Sequence, residues 1–365
     1  MLKSNRKNIA IILITGIICY GFFLASLFIP DNTYSLSERR GLKKMPQITG
    51  EKIVSGKFMT DFDEYTLDQF PLRDNFRKLK ANYSKYVLLQ KDNHGLYLKN
   101  NYLSKLEYPL NEEKLTRSLT KIDGVYKEYL KNTDCNLYLS IISDKNRFLA
   151  PKDYPLMDYE AFENKVTAYL NYADYIEITD LLSLENFYRT DQHWKQETIL
   201  PVAERLSQKM NTELNTDFSK ITLENPFYGT YYGQAALSVK PDEIKYLTNT
   251  EIENCIVTSY NTGKPESSFM YNMKKASGRD PYEMFLSGSD ALITIENPAC
   301  KNDRELIVFR DSFGSSLIPL LASGYSKITL VDLRYIQSAL LKKYISFTNQ
   351  DVLFLYSTLI LNSGL

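Results

Sequence analysis

Two histidines occur in this 365-residue chain, and that scarcity limits where imidazole chemistry can arise. His193 lies in Tyr188-Arg189-Thr190-Asp191-Gln192-His193-Trp194, beside the only tryptophan and two residues after Asp191. His94 sits in a polar turn, Asp92-Asn93-His94-Gly95, without comparable company. In extended or turn geometry, residues i and i+2 project to one side. Asp191 would then accept the Nδ1–H of His193 and leave Nε2 free to take a proton from a hydroxyl. The plainer reading is an exposed capping histidine at a helix start.

A matching nucleophile stands in Val308-Phe309-Arg310-Asp311-Ser312-Phe313-Gly314-Ser315-Ser316. This segment reads as a buried strand opening into a helix. Open α/β sheets bind ligands beyond the carboxyl ends of their strands, which is where Ser312 falls. The helix that follows aims unpaired N–H groups at that point, suited to an acyl oxyanion. Read alone, Asp-Ser is an ordinary helix cap. Paired with Asp191 and His193, it makes a Ser-His-Asp device for acyl chemistry.

Further candidates surround these three. Arg310 precedes the Asp-Ser pair, and Arg334 follows a strand end in Val331-Asp332-Leu333-Arg334-Tyr335. Tyr232 belongs to a Gly-aromatic loop, Tyr228-Gly229-Thr230-Tyr231-Tyr232-Gly233-Gln234. Asn297, next to Pro298, is a candidate side-chain donor to an oxyanion. Each also has a structural reading, as an ion pair, a turn or a packed amide. His193 is nearly the only histidine and the cysteines lack ligand spacing, so no metal is expected. No phosphate-cradling glycine loop is present, and no cofactor is expected.

Helix and strand patterns alternate around these residues. Strands are expected at 136–142, 175–178, 306–309, 327–331 and 352–356. Helices are expected at 112–130, 159–172, 197–210, 315–322 and 335–344. This order predicts an α/β domain with a mainly parallel sheet. Residues 211–297 are harder to read and are expected to be insertions forming the walls of the site. Upstream, residues 58–90 have a helical pattern broken at Phe70-Pro71-Leu72-Arg73-Asp74. Phe76, Leu79, Tyr83, Tyr86 and Val87 recur there on one apolar face. A short hairpin is expected around 95–103.

Ile9 to Ile29 is an uncharged apolar run, long enough to span a bilayer, with Lys3, Arg6 and Lys7 before it. It lacks a small-x-small cleavage site and reads as an uncleaved signal anchor with a cytoplasmic N-terminus. Residues 1–30 would be cytoplasmic tip and anchor, 31–57 a stalk, and 58–365 the extracytoplasmic domain. Cys19 falls in the run, leaving Cys135, Cys255 and Cys300, which allow one disulfide at most. With 44 basic and 44 acidic residues there is no electrostatic case for nucleic acid.

Thr190-Asp191-Gln192-His193-Trp194 and Arg310-Asp311-Ser312-Phe313-Gly314 resemble the DHHW protein family of Firmicutes. That family is related to the alginate O-acetyltransferase proteins with SGNH-hydrolase-like domains. Gln69-Phe70-Pro71-Leu72-Arg73-Asp74, Phe285-Leu286-Ser287-Gly288-Ser289-Asp290 and Val331-Asp332-Leu333-Arg334-Tyr335 add to the likeness, which runs from about Ser35 onward. The resemblance implies an SGNH-hydrolase-like three-layer domain. It also implies Ser312 as nucleophile, His193 as base and Asp191 as its orienting carboxylate. Acetyl transfer to a cell-envelope polysaccharide would follow, with a membrane-bound O-acyltransferase supplying the acetyl group. Gln192 departs from the family's paired histidines, Arg310 stands where many relatives carry Gly or Lys, and the Gly-x-Asn-Asp oxyanion block is missing. A carbohydrate esterase using the same triad, or a non-catalytic polysaccharide-binding scaffold, remain the alternatives.

Overall fold

A helix of 27 residues, α1 (Leu2–Phe28), carries the apolar N-terminal run. Within Arg6–Phe28 an 18-residue window has a mean hydropathy of 2.4 and none of that window is buried, so the helix is long and apolar enough to cross a membrane. The structure, a computed structural model, describes residues 2–35 and 37–365, without the side chains of 2–5 and 19; those of Lys3 and Cys19 thus lie outside the described residues. The chain divides into two compact units, residues 1–93 with 233–238 and residues 94–232 with 239–365.

In the first unit, Tyr34–Ser35 pairs with Arg40–Gly41, and helices α2 (Lys57–Asp68) and α3 (Arg73–Tyr86) follow. The break between them falls at the sequence-predicted Phe70-Pro71-Leu72 turn, since proline removes a donor and restricts the residue before it. Arg40 holds its strand pair to the end of α2 through the Asp68 carboxylate. The apolar face expected on α3 is present but solvent-facing: its buried residues are Ala81 and Ser84.

The second unit is built on an eight-stranded sheet. In chain order its strands are β1 (Asn136–Ile142), β2 (Asp174–Tyr175), β3 (Ile256–Ser259), β4 (Glu266–Ser268), β5 (Leu292–Glu296), β6 (Glu305–Arg310), β7 (Lys327–Val331) and β8 (Asp351–Ser357). Their spatial order is β4-β3-β5-β7-β6-β8-β1-β2. The strands from β7 to β2 are mutually parallel, whereas β5, β3 and β4 join through antiparallel pairs. Residues 256–259, 266–268 and 292–296, inside the stretch expected to be insertions, thus supply three strands.

Alternation along the parallel strands sorts side chains into two apolar layers. Leu306, Val308, Leu353 and Leu355 enter one, and Ile307, Phe309, Val352 and Phe354 the other. A sheet apolar on both faces must be covered on both. Helices α6 (Leu200–Lys209) and α7 (Gly314–Leu321) cover the first face with Val202, Leu206, Leu317 and Ile318. Helices α4 (Glu112–Val125) and α5 (Tyr159–Tyr169) cover the second with Leu115, Leu119, Phe162 and Val166. Fully burying each such side chain contributes about 1.5–3 kcal/mol.

The helix expected at 335–344 is instead a 3-10 segment, Ser338–Lys343, with Leu341 its only buried residue. One buried contact gives an α-helix no face to pack. After β8, the short helix α8 (Thr358–Ser363) packs against α4, while α7 leaves β6 on the opposite face. The carboxyl ends of β6 and β8 are therefore a switch point, where such sheets form clefts.

Candidate active site

Ser312 sits two residues past β6, where the strand turns into α7. Asp311 fixes this turn: its Oδ1 accepts from Phe313 N at 2.9 Å, and its Oδ2 accepts from the N–H and hydroxyl of Ser357 at 2.7 and 2.6 Å. One buried carboxylate thereby joins the carboxyl ends of β6 and β8. Gly314 is required for the tight turn, since a Cβ there would fall 2.9 Å from Arg310 Cβ. The N–H groups of Phe313 and Gly314 are spent on Asp311. That of Ser312 has no acceptor among the described residues and lies at the positive end of α7.

The segment Tyr188–Trp194 reaches this point as a narrow loop. Tyr188 N donates to the His193 carbonyl, and Phe187 bridges Trp194. Trp194 Nε1 donates to Phe313 O at 3.1 Å and Ser316 Oγ at 2.9 Å, so the tryptophan pins the loop to the turn bearing Ser312.

The three side chains meet. His193 Nε2 is 2.8 Å from Ser312 Oγ, and His193 Nδ1 is 2.6 Å from Asp191 Oδ1. Asp191 and His193 are buried, while Ser312 is partly exposed. Asp191 Oδ1 also accepts from His193 N, and Oδ2 accepts from Thr230 N at 2.7 Å. A carboxylate so held keeps the proton on Nδ1 and presents Nε2 as an acceptor to the hydroxyl. The imidazole lies flat on Tyr282, with centroids 3.9 Å apart at 7°, and meets Phe313 at 4.9 Å. This packing excludes water from the ring and fixes its plane. Tyr282 is itself fixed through its hydroxyl, 2.8 Å from Ser316 Oγ.

Several supports were not singled out from sequence. Lys145, buried after β1, donates to the carbonyls of Tyr188 at 2.7 Å and Asp191 at 2.6 Å, clamping the loop from behind. Asp242 accepts from Arg189 N, Thr190 N and Thr190 Oγ1. Gly229 lets its loop approach closely, because a Cβ there would lie 2.2 Å from Asp191 Cβ. A lysine in a polar loop reads as solvated; its signal was its position after a parallel strand, where site loops converge.

Burial lowers the Lys145 ammonium from 10.5 to about 7, against the partly compensating charge of Asp191. The folded pKa lies below the unfolded one, so between about 7 and 10.5 the unfolded chain binds the extra proton. Stability from this group is complete above that window and is lost as pH falls through it. Unfolding in denaturant at several pH values is expected to show wild type gaining on Lys145→Met as pH rises from about 7 to 9. The gain is up to about 1.4 kcal/mol per pH unit. A pH-independent difference would contradict the buried, unpaired ammonium.

The other sequence candidates are placed less favourably. Asn297 is a correction: β5 runs antiparallel, so its carboxyl end lies at the amino ends of β6 and β7, the edge opposite Ser312. Its amide holds Glu251 and the Ala322 carbonyl. Arg310 is fully buried, with contacts to Gly288 O at 3.3 Å and Asp332 at 3.7 Å, so it offers solvent no donor. Arg334 is on the site's edge of the sheet but is paired with Asp332 at 2.6 Å. Tyr232 is tied to the triad loop by its N–H on Thr190 O, with its ring against Tyr228. Gln192 Nε2 lies 3.5 Å from His193 Nε2, at the rim.

No family model and no curated protein matches the chain. Solved structures do. A DHHW family protein from Eubacterium siraeum is similar with a TM-score of 0.58 at 17% identity, covering 72% of this chain and 90% of its own. The chain has the DHHW fold. Bacillus cereus PatB1, solved with a sulfonyl adduct, is similar with a TM-score of 0.56 at 16% identity, over 73% of this chain and 95% of its own. A second structure of Bacillus cereus PatB1 gives a TM-score of 0.54 at 15% identity, over 73% of this chain and 96% of its own.

Proposed function

We propose that this protein is a membrane-anchored serine O-acyltransferase, working outside the cytoplasm and moving an acyl group, most simply acetyl, onto a cell-envelope polysaccharide. The observation that carries the reading is the continuous chain Ser312 Oγ, His193 Nε2, His193 Nδ1, Asp191 Oδ1, at 2.8 and 2.6 Å. PatB1, a protein of similar fold, was solved with a sulfonyl adduct, which supports a nucleophile on this fold.

In the first half-reaction, His193 takes the Ser312 proton as Oγ attacks the acyl carbonyl of a donor ester. The oxyanion is held by the Ser312 N–H at the start of α7. His193 returns the proton to the departing oxygen, leaving an acyl ester on Ser312. A sugar hydroxyl then enters, loses its proton to His193 and attacks that ester. The proton goes back to Oγ and the acylated sugar leaves. A membrane-bound O-acyltransferase is proposed as the donor's source, with α1 keeping the two together.

The full chain in detergent, given an acetyl ester with and without an oligosaccharide, is expected to yield acetylated oligosaccharide. Release of acetate alone, unchanged by the sugar, would make the protein an esterase. No turnover of any acyl ester would leave the proposal without its first step.

A further inference from the structure

The apolar face of α3 is exposed along its length, although Phe76 also meets the rings of Phe22 and Phe70. Leu79 is 65% exposed and Tyr86 63%, and Leu72, Phe76 and Tyr83 are exposed beside them. Leu72 holds this position in left-handed backbone, at φ 57°. On the helical wheel these side chains form one stripe, separate from the buried Ala81 and Ser84. Lys78 and Lys80 are exposed on the flanks. An amphipathic helix with aromatic and leucine side chains on one face and lysines beside them suits the interface of an anionic bilayer.

Contacts to α1 select that occupant. Phe22 of α1 stacks on Phe70 at 5.3 Å and meets Phe76 edge-on at 5.5 Å. The exit of α1 is tied to the end of α2: Tyr65 donates to Asp31, and Gln69 exchanges hydrogen bonds with the backbone of Asn32. Phe22 precedes Ile29, the end of the apolar run, by about 10 Å along the helix axis. Interfacial helices bury their apolar face about 5–10 Å deep. The Phe70-Phe76 pair is therefore held at the depth where such a face belongs.

We propose that α3 is a second membrane element, lying in the outer interface with Leu72, Phe76, Leu79, Tyr83 and Tyr86 in the acyl boundary. This rests on the reading of α1 as a membrane anchor. An α3 so seated holds the first unit against the bilayer surface at two points, where a single helix would leave it free to swing.

The test places a tryptophan on the stripe, Leu79→Trp and separately Tyr83→Trp, in the full chain. The protein is reconstituted in phosphatidylcholine–phosphatidylglycerol vesicles with or without bromine on the acyl chains. Ile14→Trp in α1 reports on the anchor, and wild type supplies the background of Trp194. Both stripe tryptophans are expected to be quenched at least roughly two-fold by bromolipid, as is Ile14→Trp. Quenching of Ile14→Trp alone would overturn the inference while leaving the anchor intact. Loss of quenching at all three would remove the anchor reading and the inference together. Blue-shifted but unquenched stripe tryptophans would mean that a second protein copy covers the face, and would also overturn it.

Discussion

Replacing Ser312 by alanine is expected to lower acyl-ester turnover by about 10³-fold or more, with the fold intact. The hydroxyl oxygen is the only heavy atom lost, and His193 Nε2, 2.8 Å from it in the wild type, then has nothing to deprotonate. His193→Ala is expected to cost about as much, because it is nearly the whole imidazole supply of the chain. The double variant should be little worse than either single one, since residues acting as one device are not additive. Initial rates with a chromogenic acetyl ester, alongside circular dichroism, check this. Two independent, multiplicative losses would argue against a shared step.

Asp191→Asn is the second large effect, and it separates a catalytic carboxylate from a structural acceptor. Asn still accepts from Thr230 N, which lies 2.7 Å from Asp191 Oδ2. The brace to Thr230 would thus survive the change, while the acceptor that Oδ1 gives His193 N would be lost. The amide nitrogen, however, would face His193 Nδ1 and favour the tautomer with its proton on Nε2, which cannot accept from Ser312. The expected fall in kcat is about 10⁴-fold, with KM little changed. Activity within a few-fold of wild type would reduce Asp191 to a loop support.

Both halves of this device were legible because each carries local punctuation. Leu306-Ile307-Val308-Phe309 is apolar on both faces, as a covered parallel strand must be, and Gly314 marks the turn after it. Asp191 and His193 are neighbours in sequence, so their pairing needed no tertiary knowledge. Ser312 joins them only through the strand order, and the resemblance to DHHW proteins stood in for that order. The three antiparallel strands were not legible: Thr258, Ser259, Glu266 and Ser267 dilute the apolar signal near an edge that needs little of it. That blindness also misplaced Asn297, whose edge of the sheet depends on the direction of β5. Lys145, Asp242 and Tyr282 escaped notice because burial of a polar side chain is a property of the assembled loops. The α3 stripe was read as one apolar face and no more; periodicity reports that a helix has an apolar side, not which medium covers it.

The most direct measurement is acylation of the protein itself. The full chain mixed with an activated acetyl ester and quenched in acid before deacylation is expected to gain the mass of one acetyl group. Peptide mapping by mass spectrometry should place that group on Ser312, and Ser312→Ala should not acquire it. Acetyl found on another residue, or an adduct that persists in Ser312→Ala, would contradict the account.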